Sequence, residues 1–422
     1  MGTFWSGALV GAVLGAILGL ITTVLFEDYL IEKRNRMTRS LSMRRKGTQH
    51  SESLANVELF RLGPLQTPTY ILEGDGEQVI NEQSIQVRVE PESVALPQEM
   101  VSWRQEFLDE QEEKKRNSRD YFWNGLNYAV AHFGVSRSVI DENPEISLLL
   151  RHSDYATFRT TQQLDRKFSD GTTPRTRYLE PFQVYPLKVP DFMCSSFGTN
   201  IAMITADGKF IFARRSHLVS SRPGVWSTSA NEGLSRSLDS QGRSAPNLYD
   251  VMRRGVREEL GIEPHEYGME MLGFTIDLEL HQWGGSWIGV LNELTGEQVL
   301  ERRSRGVADK YENRELRLVD CSPEETLNFM LDQGLRGTMN PNTVPFFYLA
   351  LVRFHGRRSV DRALEKISSK YEKDSATAKD YRQVIAWLTA QRLHFFSVMH
   401  SWADRETAKV DPGDEATESD NE

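Results

Sequence analysis

The N-terminal end of the chain carries the feature that most restricts how it can fold. From Thr3 to Phe26 the sequence contains no charged side chain. A helix of this length, rising about 1.5 Å per residue, can cross a hydrocarbon core of about 30 Å. A cleaved signal peptide would instead carry positive charge before the apolar run and have a shorter core. We therefore expect a transmembrane anchor within residues 1–27.

The flanking charge predicts the orientation of this anchor. Lys and Arg residues are concentrated in the juxtamembrane segment 28–50, and none precedes the apolar run. Because positive flanks stay in the cytoplasm, we predict a single-pass membrane protein whose large C-terminal portion is cytoplasmic. Attraction of the same segment to anionic lipid is an alternative role, although topology alone explains the charge.

Glycines recur every four residues along the apolar run, at Gly7, Gly11, Gly15 and Gly19. They share one helix face, where the missing side chains allow another helix to approach closely. This glycine zipper predicts a homo-oligomer that forms through the transmembrane helix. The alternative is that glycine is simply common in membrane helices.

Composition excludes two classes of protein. The formal net charge of −10 argues against a nucleic-acid binder, which is usually basic. The two cysteines, Cys194 and Cys321, provide neither a disulfide framework nor zinc spacing, so we expect ordinary thiols in a reducing compartment.

Residues 51–190 contain no recognisable catalytic spacing, and we expect a small α+β accessory domain there. The segment "YILEGDGEQVI" has a turn between apolar runs and predicts a hairpin. "SIQVRVE" alternates like a half-buried strand. "RDYFWNGLNYAVAHFG" places aromatic residues at helical spacing and predicts a helix that ends at Gly134.

Residues 195–340 show the pattern of a second, mixed α/β domain. "TNIAMITADGKFIFARRS" predicts a hairpin with a turn at 206–208, and "GVWSTSANEGL" predicts a further strand. A helix follows from about Pro246 to Leu260, with Gly261 just after its end. "LGFTIDLEL", "SWIGVLNEL" and "NRELRLVD" predict three more strands before a helix at "PEETLNFML".

The helix before Gly261 ends in two adjacent carboxylates, Glu258 and Glu259. Negative charge is unfavourable near a helix C-terminus. Either these glutamates are a solvated helix end, or a cation offsets their repulsion. Arg254 can also pair with Glu258 at the i, i+4 spacing and orient it.

At this point the sequence resembles the Nudix hydrolase family. The end of the Nudix box, Arg-Glu-U-x-Glu-Glu-x-Gly-U with U a bulky aliphatic residue, is similar to "RGVREELGI" at 254–262. The resemblance implies an α/β/α sandwich with a mixed sheet. It also implies Mg²⁺ or Mn²⁺ held by Glu258 and Glu259, with Arg254 orienting the site, and hydrolysis of a nucleoside diphosphate derivative. The metal would polarise phosphorus and activate water.

Two positions depart from the family box. Gly255 and Pro246 stand where the family has glutamates, and the loop before the helix is several residues longer. Glu232 is a candidate substitute ligand for the metal, and Asp250 is an alternative. For the additional acid that many members place on a later strand, Glu315 is slightly favoured over Glu312.

Residues that recognise the nucleotide are harder to identify. Arg214 and Arg215 are candidate phosphate contacts, although ordinary strand-end charge explains them equally well. Trp226 is a candidate for stacking on the base, although such tryptophans are more often core or hairpin-surface residues. Trp283 and Trp287 are candidates of the same kind as Trp226. His281 could orient a phosphate, although a lone histidine beside strands usually has a structural partner.

The C-terminal part divides into two segments. Residues 341–402 have a helical period and predict packing helices, whereas residues 403–422 are acidic and are expected to be disordered.

Three functional hypotheses remain open from the sequence. The first is a membrane-anchored metal-dependent hydrolase of a nucleotide-derived small molecule. The second is a Nudix-fold nucleotide sensor without turnover, kept open by the carboxylates missing at positions 246 and 255. The third is a membrane-tethered scaffold.

Overall fold

A computed structural model describes residues 59–118, 121–182, 188–219, 221–309 and 311–373 of the chain. The transmembrane helix, the glycine zipper, the basic segment 28–50 and the acidic tail 403–422 that the sequence predicts lie outside these ranges. Among the helices within the described ranges, none is both long and apolar enough to span a bilayer.

Strands and helices of the described part mix along the chain. The strands are β1 (Arg61–Leu62), β2 (Leu65–Gln66), β3 (Thr69–Glu73), β4 (Ile85–Ser93), β5 (Leu126–Arg137), β6 (Pro144–Asp154), β7 (Phe197–Ile204), β8 (Lys209–Arg215), β9 (Trp226–Ser227), β10 (Ala230–Gly233), β11 (Tyr267–Asp277), β12 (Gln282–Leu291) and β13 (Asn313–Asp320). The helices are α1 (Gln98–Arg116), α2 (Tyr155–Thr161), α3 (Arg236–Asp239), α4 (Leu248–Leu260), α5 (Gly296–Ser304), α6 (Pro323–Leu335), α7 (Thr343–His355) and α8 (Arg357–Lys373).

The largest sheet is mixed, as the sequence predicts. Its strand order is β13-β8-β7-β12-β11-β3, with β10 on β7 and β9 on β8. Strands β7 and β12 run parallel, whereas β7 and β8 form the predicted antiparallel hairpin, in which Met203 faces Ile211. The hairpin prediction is confirmed.

Helices cover both faces of this sheet. Successive residues of β7 point to opposite faces, so Ile201 and Met203 pack in the same apolar core as α4, while Ala202 and Ile204 pack in the core that contains α7. On the α7 side the rings of Phe212 and Phe347 stack with their centroids 3.9 Å apart. The layers are therefore helix, sheet and helix, and α7 comes from the C-terminal segment 341–402.

The accessory region forms a separate sheet of order β4-β6-β5, and β4 confirms the strand predicted at "SIQVRVE". The helix predicted to end at Gly134 is wrong, because this stretch is strand β5, paired antiparallel with β6. Tyr128, Val130 and Phe133 are buried in the core there. Aromatic and β-branched residues suit a pleated, half-buried surface, and pairing with β6 outweighs the helical spacing.

The hairpin predicted at "YILEGDGEQVI" is also wrong. Both of its apolar ends pair with β11 instead of with each other: Tyr70 faces Ile276, and Ile80 bridges Met271. Strand β3 thus belongs to the large sheet although it lies in the predicted accessory region. The predicted boundary near residue 190 does not separate two cores either, because Phe133 of β5 packs against Phe274 of β11 at a centroid distance of 5.0 Å.

Candidate active site

Helix α4 is held by caps at both ends. Asn247 accepts hydrogen bonds from the backbone N–H of Tyr249 and Asp250, and Gly261 ends the helix with φ +68°. The predicted start at Pro246 is slightly early, because Asn247 supplies the cap oxygen that a proline lacks. The predicted apolar stripe is confirmed, and its four members are buried: Leu248, Met252, Val256 and Leu260.

Glu259 lies on the buried side of this helix, with a relative exposure of 2%. The backbone N–H of Asn231 donates to one carboxylate oxygen at 2.7 Å, and the side-chain amide of Asn313 donates to the other. Burial raises the pKa of Glu259 well above its usual value, and the charge of Glu312 raises it further. Glu259 is therefore a fixed carboxyl group and not a solvated helix end.

Gly255 leaves room for a side chain from strand β10. A Cβ atom added at Gly255 would lie 2.8 Å from the Cβ of Glu232. Glu232 therefore fills the space beside the helix where the family box has its own glutamate. Burial raises the pKa of Glu232 to about 7, although the nearby Arg254 opposes that shift.

Arg254 connects the acidic groups. Its Nη1 atom lies 2.7 Å from a carboxylate oxygen of Glu232 and 3.5 Å from one of Glu258, so the predicted i, i+4 contact is present. Its Nε and Nη2 atoms both donate to the carboxylate of Asp239 at 3.0 Å. Asp239 was not among the residues predicted from the sequence. The signal that could have found it is its position six residues after Gly233, which is the spacing between the glycine and the first acid of the family box.

The two candidates for the additional acid occupy different environments. The Glu315 carboxylate is about half exposed and lies 3.6 Å from Arg214, away from the buried carboxylates. Glu312 pairs with Arg215 at 2.9 Å, and burial raises the pKa of Glu312. Because the charge of Glu312 also acts on Glu259, Glu312 belongs to the acidic cluster. The structure thus brings Glu312, which precedes β13, to the cluster, whereas Glu315 lies on the strand with about half of its side chain exposed.

The predicted phosphate contacts also differ from each other. Arg215 is buried, where it donates to the backbone oxygen of Ser221 and to the Asn231 side chain besides pairing with Glu312. It therefore stabilises the cluster and is not free to clamp a phosphate. Arg214 is partly exposed beside Glu315 and donates to the backbone oxygen of Gly224, so it remains a candidate for substrate contact.

The aromatic candidates lie in the core. Trp226 is 4% exposed and packs edge-on against Phe329. Trp283 and Trp287 are buried as well. The expectation that Trp226 stacks on a base is corrected, because a base needs an open ring face.

His281 and the two thiols are structural groups. His281 is buried beside the Cys194 sulfur, at 3.6 Å, and burial lowers its pKa to about 4. Burial likewise raises the pKa of Cys194 to about 12. Both Cys194 and Cys321 are free and buried, which agrees with ordinary thiols.

Asp250, the alternative carboxylate, lies outside the cluster. It pairs with Arg243 at 2.5 Å and with Arg253 at 2.7 Å, and its side chain is partly exposed. The residues that lie together around Arg254 are thus Glu232, Glu258 and Asp239. The buried Glu259 and the partly exposed Glu312 adjoin them.

The cluster fits a cation only in part. Within the described ranges, no three His, Cys, Asp or Glu side chains are arranged as a metal-ion ligand set. Two carboxylates do converge on a positive charge, because the Nη1 atom of Arg254 lies between Glu232 and Glu258. Burial raises the pKa of Glu232 and of Glu259, and the charge of a neighbouring carboxylate raises each of them further, so a cation beside these groups is favourable; carboxylate oxygen suits Mg²⁺ or Mn²⁺.

Comparisons with known proteins give structural neighbours only. Neither the protein-family models nor the curated proteins contain a match. Among solved structures, the chain is similar to a MutT protein from Methanosarcina mazei, with 17% identity and a TM-score of 0.23, over 37% of this chain and 92% of that one. It is also similar to a Nudix hydrolase from M. smegmatis, with 14% identity and a TM-score of 0.23, over 37% of this chain and 82% of that one. A C. elegans Ap4A hydrolase is 10% identical with a TM-score of 0.21, over 42% of this chain and 98% of that one.

Proposed function

We propose that this chain is a Nudix-type hydrolase that cleaves the pyrophosphate bond of a nucleoside diphosphate derivative with the help of Mg²⁺ or Mn²⁺. One observation carries the proposal: Glu232 enters the gap at Gly255 and meets Glu258 at Arg254. Glu232 thereby places a carboxylate beside the helix at position 255, where this sequence has a glycine and the family box has a glutamate.

Each residue of the cluster has a distinct role in this proposal. Glu232 and Glu258 would hold the cation, which when bound polarises phosphorus and activates water. Glu259 keeps the end of the helix in place, because both of its oxygens accept hydrogen bonds from asparagines. Glu312 accepts the proton from the attacking water. A carboxylate whose pKa is raised by burial is the better base near neutral pH.

A nucleotide sensor without turnover is the second candidate. It is favoured by the hydrogen bonds that occupy both oxygens of Glu259, which in the family box is a metal ligand. It is also favoured by the absence of a three-residue ligand set within the described ranges. Such a protein would bind the same nucleotide-derived molecule and release it unchanged.

A hydrolysis assay separates these two candidates. The full chain in detergent is incubated with a panel of nucleoside diphosphate derivatives and Mg²⁺ or Mn²⁺, in water enriched in ¹⁸O. We expect metal-dependent release of a nucleoside monophosphate, with ¹⁸O in one phosphate product. Glu258→Gln should lower the rate by about a hundredfold or more, since it removes an electrostatic contact to the transition state. Asp250→Asn, in an equally charged residue of the same helix, is the matched control and should retain the rate.

Binding measured on the same samples decides the alternative outcome. Calorimetric binding of a nucleotide without product formation would support the sensor and contradict the hydrolase. Neither binding nor turnover across the panel would contradict both candidates.

We also propose that residues 1–27 anchor the protein as a single-pass homo-oligomer with its large portion in the cytoplasm. The uncharged run, the basic flank and the regular glycines support this. Protease added to intact cells should leave the large portion uncut. Leucine at Gly11 and Gly15 should lower the yield of crosslinked oligomer in membranes, and an unchanged yield would contradict association through the glycines.

A further inference from the structure

We infer that Arg314 and His217 form a clamp for a phosphate group of the substrate. This inference rests on the proposed function and adds a substrate contact to it. Arg314 lies in β13 and His217 in the loop that follows β8, so two segments far apart in the chain build the clamp. Neither residue was among the substrate contacts predicted from the sequence.

A β-bulge sets the position of Arg314. In the pairing of β13 with β8, Asn313 faces Arg215. The next pair joins Glu315 to Arg214, so Arg314 is the additional residue of the bulge. An additional residue bends the strand and changes the direction of its side chain, and bulges are common beside active sites for this reason.

The guanidinium of Arg314 contacts an imidazole and not a carboxylate. Its Nη1 atom lies 2.8 Å from Nε2 of His217. By contrast, Arg215 on the facing strand pairs with Glu312 at 2.9 Å. Within the described ranges Arg314 forms no ion pair with a carboxylate, so its positive charge is available to an anion from solvent.

Gly224 makes room for the ring of His217. Its φ is +76°, and a Cβ atom added there would lie 2.6 Å from the Cε1 atom of the imidazole. The ring therefore packs directly on the backbone of its own loop, which fixes its position. Because His217 and Arg314 are both exposed, a ligand can reach the two side chains from solvent.

The clamp is joined to the proposed general base through the backbone. The N–H of Ser216 donates to the backbone oxygen of Glu312 at 2.9 Å. This bond ties the residue before His217 to the segment that leads into Arg314. An anion held by the clamp would therefore lie next to the segment that carries Glu312.

Phosphate is the anion that this arrangement fits best. A guanidinium presents its N–H groups in one plane and matches two phosphate oxygens at once. In the proposed reaction the cation would neutralise one part of the diphosphate derivative. The clamp would bind phosphate oxygens that the cation does not hold.

Binding of inorganic pyrophosphate tests the clamp apart from turnover. Calorimetry on the full chain in detergent, with EDTA to remove divalent cations, measures the dissociation constant of pyrophosphate. Without a cation the carboxylates repel the anion, so the clamp should account for the binding. Arg314→Gln should raise the constant by about tenfold or more, as loss of a hydrogen bond to a charged group does.

Arg317→Gln is the matched control. Arg317 lies on the same strand, is exposed, and has its guanidinium over the ring of Phe329 at 4.9 Å. Its removal changes the net charge equally, and screening by salt should leave the constant within about twofold of wild type. Equal weakening by Arg314→Gln and Arg317→Gln would mean general attraction of charge and would overturn the inference.

Two variants test whether the geometry of the pair matters. Arg314→Lys keeps the positive charge but lacks the planar fork. His217→Phe keeps a ring on Gly224 but loses the nitrogen that contacts Arg314. Each should raise the pyrophosphate constant by about threefold or more, because the guanidinium is no longer presented in a fixed orientation. Wild-type affinity in both variants would overturn the clamp.

Kinetics distinguish the clamp from the proposed function. In the hydrolysis assay Arg314→Gln should raise KM about tenfold and leave kcat within about twofold, as loss of a uniform binding contact does. A wild type that hydrolyses the panel but binds no pyrophosphate in EDTA would overturn the clamp alone. A wild type that binds pyrophosphate through Arg314 but hydrolyses nothing would contradict the hydrolase and support the clamp.

Discussion

Gly255→Ala tests whether Glu232 occupies the gap in helix α4. In an unobstructed helix this substitution should stabilise the protein by about 1 kcal/mol, because alanine has the higher helix propensity. Here the new Cβ would lie 2.8 Å from the Cβ of Glu232, closer than non-bonded carbons approach. The conflict involves an atom next to the backbone, so a side-chain rotation cannot remove it.

The strand that carries Glu232 resists a shift. Glu232 faces Thr199 in the pairing of β10 with β7, and the Thr199 hydroxyl donates to the backbone oxygen of Glu232 at 3.1 Å. Overpacking of such a site typically costs about 1–3 kcal/mol. Set against the propensity gain, the free energy of unfolding should fall by about 0–2 kcal/mol. For a chain of this size each kcal/mol corresponds to roughly 1–2 °C in melting temperature.

A variant of Glu232 provides the control. In a Glu232→Gly background the opposing Cβ is gone, so adding Gly255→Ala should raise the free energy of unfolding by about 1 kcal/mol. Urea unfolding of the four proteins in the cycle measures both effects. If Gly255→Ala stabilises the wild type by as much as it stabilises the Glu232→Gly protein, the two side chains do not share this space. The explanation of the missing glutamate would then be wrong.

Three further predictions concern single residues. Glu312→Gln should lower the hydrolysis rate by on the order of a hundredfold, as loss of a general base does. The control Glu315→Gln should stay within about twofold of wild type. If Glu312→Gln and wild type hydrolyse at equal rates, Glu312 is not part of the site. Burial lowers the pKa of His281 from 6.5 to about 4, so between these pH values the unfolded state binds more protons than the folded state. The free energy of unfolding that His281 contributes is therefore fully present above pH 6.5 and falls by up to about 3 kcal/mol as the pH drops to 4. Urea unfolding at pH 7 and pH 4.5 should show a smaller pH difference for His281→Asn than for wild type. Trp226→Phe should lower the melting temperature but leave nucleotide affinity within about twofold, and a large loss of affinity would return Trp226 to the substrate site.

Features that depend on neighbouring residues were predictable from the sequence. The stripe on α4, the glycine that ends it and the β7–β8 hairpin follow from short-range periodicity and turn chemistry, and all three are present. The pair of Glu258 with Arg254 is of the same kind, since residues four apart on a helix are neighbours.

Predictions from the spacing of residues close in the chain were wrong where a strand pairs with a partner that its own spacing does not indicate. Strand β5 has aromatic residues at helical intervals, yet it pairs with β6, and β3 joins β11 across the chain instead of forming a hairpin with its own neighbour. Hydrogen bonding along a long partner strand outweighs a weak local preference. The order of strands was therefore decided by the tertiary structure.

Which side chains lie together at the candidate site also depends on the tertiary structure. The sequence suggested Glu232 as one of two substitutes, but only the antiparallel pairing of β10 with β7 brings it against Gly255. Glu312 lies beside Arg215 with 23% of its side chain exposed, against 49% for Glu315, a difference that two nearby glutamates do not reveal in sequence. Asp239 lies 15 residues before Arg254 in the chain, and the folding of the loop between them brings the two side chains into contact. A sequence determines which groups are four residues apart, whereas contact between groups far apart in the chain depends on how the sheet and its loops pack.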